Sequence, residues 1–168
     1  MITFEVEKSR FLYRTGGVLI RDKSVLLNRP EQEAYWFMPG GRVEINERSE
    51  DAVLREMREE TGLEMQVERL MWTSENFFTL QGRRHHEIAF YYLLSLRAEA
   101  DYARLEAPFE IQDNGATVCY GWHKLDTLSD LELVPTFLKL ELLRLPDTPF
   151  HIVHQDIMVS TSDPKESE

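Results

Sequence analysis

"GRVEINERSEDAVLREMREETGL", residues 41–63, carries seven acidic residues and four arginines. Helix-forming residues fill most of the stretch up to Thr61. Ser49 is suited to cap its start, with Glu50 and Asp51 favourable in the first turn, and Gly62 is suited to end it. With Ala52 set at zero and about 100° per residue, Glu56, Glu59 and Glu60 fall near ~40°, ~340° and ~80°. The three carboxylates therefore share one stripe. Val53, Met57 and Leu54 fall near ~100°, ~140° and ~200° and form the expected buried face. Arg55 projects beside the acidic stripe, and Arg58 points away from it.

Like charges three and four residues apart on a helix repel, by about 0.2–0.5 kcal/mol per exposed pair. Carboxylates are also the hard oxygen ligands that magnesium and manganese take. The stripe thus reads either as an acidic solvent-facing helix or as a metal-holding surface. Gly40 and Gly41 allow the preceding loop to fold back tightly on the helix. Glu47 could then approach from the loop, with Arg55 as its partner, fixing loop against helix.

The rest of the chain frames this segment. Residues 11–31 read as two short strands around Val18–Ile20 and Val25–Leu27, joined by a turn at "RDKS". Gly16 and Gly17 imply a bulge or a close backbone approach. Two long strands follow the helix in "MQVERLMWTSENFFTL" and "HEIAFYYLLSLRA", linked by "QGRRH". The second is almost continuously apolar and is expected to be central. Residues 99–114 read as a loop with a short helical turn, "ATVCYGWHKL" as a strand, and residues 135–145 as a helix ended by Pro146. The expected fold class is α/β, a sandwich with a mixed sheet. One domain is expected over 1–155, with a flexible tail over 156–168.

Composition narrows the function classes. The 168 residues are 42% hydrophobic, enough for one core. A net charge of −11 argues against a duplex nucleic acid binder but not against a small phosphorylated ligand arriving with cations. No apolar run approaches the ~20 residues of a membrane span, and the N-terminus does not read as a signal peptide. Cys119, the one cysteine, is expected to be a buried thiol, and the setting cytoplasmic.

The spacing Gly41, Glu47, Arg55, Glu56, Met57, Glu59, Glu60, Gly62 and Leu63 matches the 23-residue box of the Nudix hydrolases at every fixed position. The flanking segments resemble the family over roughly 10–145. The resemblance implies an α/β/α sandwich that hydrolyses the pyrophosphate bond of a nucleoside triphosphate or nucleoside diphosphate derivative, using Mg²⁺ or Mn²⁺. It implies metal binding by Glu56, Glu59 and Glu60, an orienting role for Arg55, and support from Glu47. It places Gly40, Gly41 and Gly62 at structural turns. Family members are often dimers, so a homodimer stays open.

The general base is less determined. Glu59 is the box candidate, Glu106 and Glu110 lie in the later polar stretch, and Glu87, at the head of the apolar strand, could be a base or an added ligand. For the substrate, Tyr35, Phe77 and Phe78 could stack on a base, and Arg14, Arg83 and Arg84 could meet phosphate. His85 and His86 could hydrogen-bond to the ligand. Being adjacent on a strand, they should point to opposite faces rather than clamp one ion. Trp36 and Trp122 are read mainly as packing residues, Trp36 being the one expected to line a pocket. The absence of a longer N-terminal domain lowers ADP-ribose among the substrates. A non-catalytic nucleotide sensor on the same fold is the alternative, but it would be expected to lose box carboxylates. Isoprenoid diphosphate isomerisation would want a cysteine ahead of the box.

Overall fold

Alternation of apolar residues decides which side of the sheet each strand feeds. In the computed structural model, which describes residues 1–156 apart from 81, 107 and 114, the order is β1 (Thr3–Val6), β2 (Ser9–Arg21), β3 (Ser24–Pro30), α1 (Ser49–Thr61), β4 (Met65–Leu80), β5 (Arg83–Leu96), β6 (Phe109–Asp113), β7 (Ala116–Lys124), α2 (Leu138–Glu141) and β8 (Phe150–Gln155). The strands lie in the order β6-β7-β3-β2-β5-β4-β8, with β1 added on β2. β2 and β5 run parallel, from Ser9 beside Arg84 to Leu19 beside Leu94. β4 and β5 form a long antiparallel pair, and β8 joins β4 in parallel. The expected central strand, β5, is thus flanked on both sides.

Two apolar layers sit on opposite faces of this sheet. Val18, Val25, Leu27 and Tyr91 pack with Leu128, Leu133, Phe137, Leu138 and Leu142 of the C-terminal region. Their chain neighbours Leu19, Leu26 and Tyr92 pack with Val53, Met57 and Leu63 around α1. Period-two alternation sends successive side chains to opposite faces and so builds both layers from the same strands. The expected α/β/α sandwich with a mixed sheet follows. Met57, fully buried, contributes about 1.5–3 kcal/mol by its burial.

Several elements differ from the sequence reading. β2 is 13 residues long rather than short, because its half-buried first half, from Ser9 to Arg14, also pairs with β5. Its turn to β3 is tight, with Asp22 at φ 49° and Lys23 at φ 59°, the left-handed pair a two-residue hairpin needs. β5 begins at Arg83, so Arg83, Arg84 and His85 belong to a strand rather than a link. The stretch read as a loop over 99–114 holds a 3-10 segment, Glu99–Leu105, and the strand β6. Phe109 of β6 stacks on Tyr120 of β7 at 4.8 Å, which rewards the pairing. The C-terminal helix shrinks to α2, four residues long. β1 and β8 have no counterpart in the reading.

The helix α1 begins after an extended Arg48 that makes no side-chain cap. Ser49, expected to cap it, instead pairs its hydroxyl with that of Tyr92 at 2.7 Å. Gly62 ends it at φ 69°, its N–H donating to Arg58 O at 2.8 Å. Cys119, expected buried, is half-buried, its Sγ 3.7 Å from Glu110 Oε1. Asp156 is buried, and the rest of the expected tail lies outside the described residues. Among the described residues no helix is long and apolar enough to cross a membrane.

Candidate active site

The loop before α1 is laid along β2 by backbone hydrogen bonds. Gly17 N–H donates to Pro39 O at 2.8 Å, and Thr15 N–H donates to Gly41 O at 2.9 Å. Gly40 has φ 138°, and a Cβ there would run into Thr15 O. A Cβ on Gly41 would collide with the carboxylate of Glu56. The two glycines therefore bring backbone and box carboxylate into direct contact. Gly16 and Gly17 serve close approach rather than a bulge, lying against Tyr91 and Met57.

Arg55 is the hub of the loop-helix junction. Its Nε donates to Glu47 Oε1 at 2.8 Å and its Nη2 to Glu47 Oε2 at 3.0 Å, a two-point clasp. Its Nη1 donates to Glu56 Oε1 at 2.8 Å and to Glu59 Oε2 at 3.4 Å. Nη2 also reaches Arg42 O at 3.2 Å, and Glu44 N–H donates to Glu47 Oε2 at 2.9 Å. One guanidinium thus binds three carboxylates and a loop carbonyl. The hydrogen bond from Arg55 holds the Glu47 carboxyl below the usual range. Arg55 itself is held more firmly protonated, chiefly by Glu47.

Next to this hub a cavity of about 410 Å³ opens across β2, β5 and β4. Alternate residues line it: Arg10, Leu12, Arg14 and Gly16 from β2; His85, Glu87, Ala89 and Tyr91 from β5; Asn76, Phe78 and Leu80 from β4. Glu60 enters it from α1, Arg42 from the loop, and Asp156 from beyond β8. This joins the box to the cleft through Glu60. Arg42 is rendered less basic by burial first, then by the charges of Arg10 and Arg14. Three guanidiniums therefore gather near one end of the cleft.

The expected site residues divide between faces. Glu47, Arg55, Glu56 and Glu59 come together at the hub, and Arg14 and Glu60 line the cavity. Glu87 also lines it, 6% exposed, with Arg14 Nη1 at 3.9 Å from its Oε2. Glu87 pairs in register with Leu12, three residues along β2 from the Thr15 that bonds the glycine loop, about 10 Å at the usual rise. Burial pushes its carboxyl up, against the pull of Arg14.

Phe77 and His86 stack on each other at 4.5 Å outside the cavity, while Phe78 and His85 stack at 4.7 Å within it. The two histidines do face opposite ways. Arg83 pairs with Glu5, Arg84 is exposed, and Tyr35 is half-buried; none of the three lines the cavity. Glu106 and Glu110 are exposed and outside it as well. Trp36 lines a separate groove with His123 at 4.2 Å and Arg29 above its ring, and Trp122 Nε1 donates to Leu105 O at 2.7 Å.

Sequence reasoning missed Arg10, Arg42, Asn76 and Asp156. Stepping by two from Arg14 and from Phe78 would have found Arg10 and Asn76. Nothing local marks Asp156, whose place depends on the register of β8. Asp156 Oδ1 accepts from Thr136 N at 3.1 Å and Thr136 Oγ1 at 2.6 Å, and Asn76 Nδ2 donates to its Oδ2 at 3.4 Å.

The NUDIX domain family model matches residues 11–140. A Caenorhabditis elegans protein bearing a Nudix hydrolase name is 33% identical over 112 residues, covering 60% of this chain and 29% of its own. An uncharacterized Nudix hydrolase of Bacillus subtilis is 45% identical over 49 residues, 29% of this chain and 31% of its own. The matches thus span about a third of the length of these relatives. Among solved structures, a MutT NUDIX hydrolase from Burkholderia pseudomallei is 27% identical with TM-score 0.51, covering 69% of this chain and 84% of its own. An ADP-ribose pyrophosphatase from Streptococcus suis, 20% identical with TM-score 0.53, covers 86% and 98% and shares the fold.

Proposed function

The chain belongs to the Nudix family, and from that premise we propose that it is a divalent-metal-dependent pyrophosphohydrolase acting on a nucleoside triphosphate or nucleoside diphosphate derivative. The observation that carries this reading is the Arg55 hub, with Glu47, Glu56 and Glu59 on one guanidinium and Glu60 opening into the adjoining cleft.

The donor chemistry fits magnesium or manganese. The donors are carboxylate oxygens, and the missing Cβ of Gly41 leaves the Glu56 carboxylate against open backbone. Among the described residues no three His, Cys, Asp or Glu side chains stand gathered as a ready-made cage. Glu56, Glu59 and Glu60 would hold the cation, which when bound neutralises pyrophosphate oxygens and makes hydroxide accessible at neutral pH.

The chain's own residues supply the rest. Arg55 orients Glu56 and locks Glu47 onto the loop, so that the glycine turn and α1 keep one geometry. Glu59, 58% exposed and held only at 3.4 Å, is free enough to take a proton from an attacking water. Water then adds to one phosphorus, and the P–O bond to the other phosphoryl group breaks. Arg10, Arg14 and Arg42 offer fixed positive charge to the phosphate oxygens at the cleft. The single cysteine favours a reducing, cytoplasmic setting.

A panel of nucleoside triphosphates, nucleotide sugars and ADP-ribose, incubated with Mg²⁺ or Mn²⁺ and resolved by anion-exchange chromatography, tests the reading. Cleavage at a pyrophosphate bond is expected, with loss in Glu59→Gln and Glu60→Gln at unchanged folding. Turnover surviving both substitutions would place the chemistry elsewhere.

A further inference from the structure

A second groove, of about 760 Å³, lies on β3 and β7 apart from the cleft. Asn28, Pro30 and Val118 line the cleft, while their chain neighbours Arg29 and Cys119 line the groove. Alternation along the strands therefore gives the two sites opposite faces. The segment leading to the glycine turn divides the same way, with Phe37 on the cleft and Trp36 on the groove. Register places Glu110, Cys119 and Arg29 in one row across β6, β7 and β3. Gly121 follows on β7 with no side chain. A Cβ there would lie 3.1 Å from His123 Nε2 and 3.5 Å from Trp36 Cη2. Its absence lets both rings close onto the sheet, their centroids 4.2 Å apart and their planes at 64°.

Arg29 has no acidic partner in this groove. Its guanidinium carbon lies 5.2 Å from the centre of the Trp36 ring. Among the described residues its side chain makes no ion pair or hydrogen bond, and its Nε is buried and unpartnered. A half-buried guanidinium without an acceptor is costly, and its planar fork matches a carboxylate at two points. His123 Nε2 is buried without a partner as well. Burial lowers the pKa of that imidazole, so at neutral pH it adds hydrogen-bonding capacity without charge. Glu110, exposed, stands across Cys119 from Arg29. One guanidinium facing one rim carboxylate admits a monoanion and disfavours a dianion.

We propose that this groove is a second ligand site that binds a planar aromatic carboxylate, with the carboxylate on the Arg29 guanidinium and the ring against Trp36 and His123. Its volume is in the range of small-molecule sites. Aromatic walls favour a planar ring over a saturated one of the same outline, through edge and face contacts. The guanidinium favours a carboxylate over the matching amide, because the amide brings no charge and turns an NH₂ towards a donor. The site lies outside the cleft and does not depend on the hydrolase reading.

The test uses the unmodified protein without metal. Naphthoate, naphthamide and decahydronaphthoate are titrated by calorimetry, the amide lacking the charge and the saturated acid lacking the planar ring. Naphthoate is expected to bind at least about 10-fold more tightly than naphthamide, and more tightly than decahydronaphthoate. Arg29→Gln is expected to lower naphthoate affinity about 10-fold, with a thermal melt reporting its folding. Arg29→Lys, which keeps the charge and loses the fork, is expected to fall between the two. Arg14→Gln, in the cleft, is expected to leave naphthoate binding unchanged. Equal or tighter binding of either analogue, full affinity in Arg29→Gln or Arg29→Lys, loss with Arg14→Gln, or no binding below about 10 mM would overturn the proposal. Nucleotide turnover is read separately in the metal-loaded panel, so the failure of one reading leaves the other standing.

Discussion

Two groups of carboxylates, one on α1 and its loop and one on the cleft floor, are kept in opposite ways. At the hub, Glu47, Glu56 and Glu59 surround Arg55, which compensates their charge with hydrogen bonds of 2.8–3.4 Å. On the cleft floor, Glu87 and Asp156 are almost fully buried, and Glu87 has Arg14 Nη1 at 3.9 Å from its Oε2. In the first arrangement the hydrogen bond from Arg55 holds the Glu47 carboxyl below the usual range. The second holds the Glu87 carboxyl where burial disfavours its charge. Charge compensation and burial therefore separate two environments that the bare count of acids cannot.

Breaking the hub should cost most. Glu59→Gln is expected to lower kcat by about 10²–10⁴-fold with little change in melting temperature, measured by product chromatography beside a thermal melt. Arg55→Ala is expected to lower kcat/KM by about 10–100-fold and to lower the melting temperature as well, since Glu47 and Glu56 lose their cation. Arg55→Lys should rescue little, because an ammonium cannot make the two-point clasp on Glu47.

The pH dependence of stability sharpens the comparison, because the two groups carry opposite signs. The Glu47 carboxyl is depressed in the folded state, so its contribution is present above the ordinary glutamate range and is lost as pH falls through the folded value. The Glu87 carboxyl is raised, so its contribution is present below that range and is lost as pH rises through the folded value. Glu47→Gln should therefore remove part of the loss of stability on acidification. Glu87→Gln should remove part of the loss as pH rises above the ordinary glutamate range. Melts between pH 3 and 8 would read each as a shift of a few degrees. The same sign for both substitutions would contradict the division.

The smallest effect is a control. Gly62→Ala meets no atom within 4 Å but must adopt φ 69°, so it should cost about 1 kcal/mol in denaturant unfolding and leave kinetics unchanged.

How much of this was legible depended on distance along the chain. The hub lies within 41–63, where a helical period and one loop fix every neighbour, so Glu47, Arg55 and the acidic stripe could be read from spacing. Even there the helix start shifted, because Ser49 found a tertiary partner in Tyr92. The floor depends on registers among β2, β4, β5 and β8. A one-residue change of register exchanges Phe77 for Phe78 and His86 for His85, and side chains on a strand carry no local mark of which face is the cleft. The short β6 is not marked locally, because its reward, Phe109 on Tyr120, is a contact between strands.

The most direct measurement is Mn²⁺ binding followed by electron paramagnetic resonance on the unmodified protein and on the double variant Glu56→Gln, Glu60→Gln, with Glu87→Gln alongside. Binding should be lost in the double variant and kept in Glu87→Gln. Mn²⁺ held equally by the double variant, or lost with Glu87 alone, would contradict the assignment of the metal to the Arg55 hub.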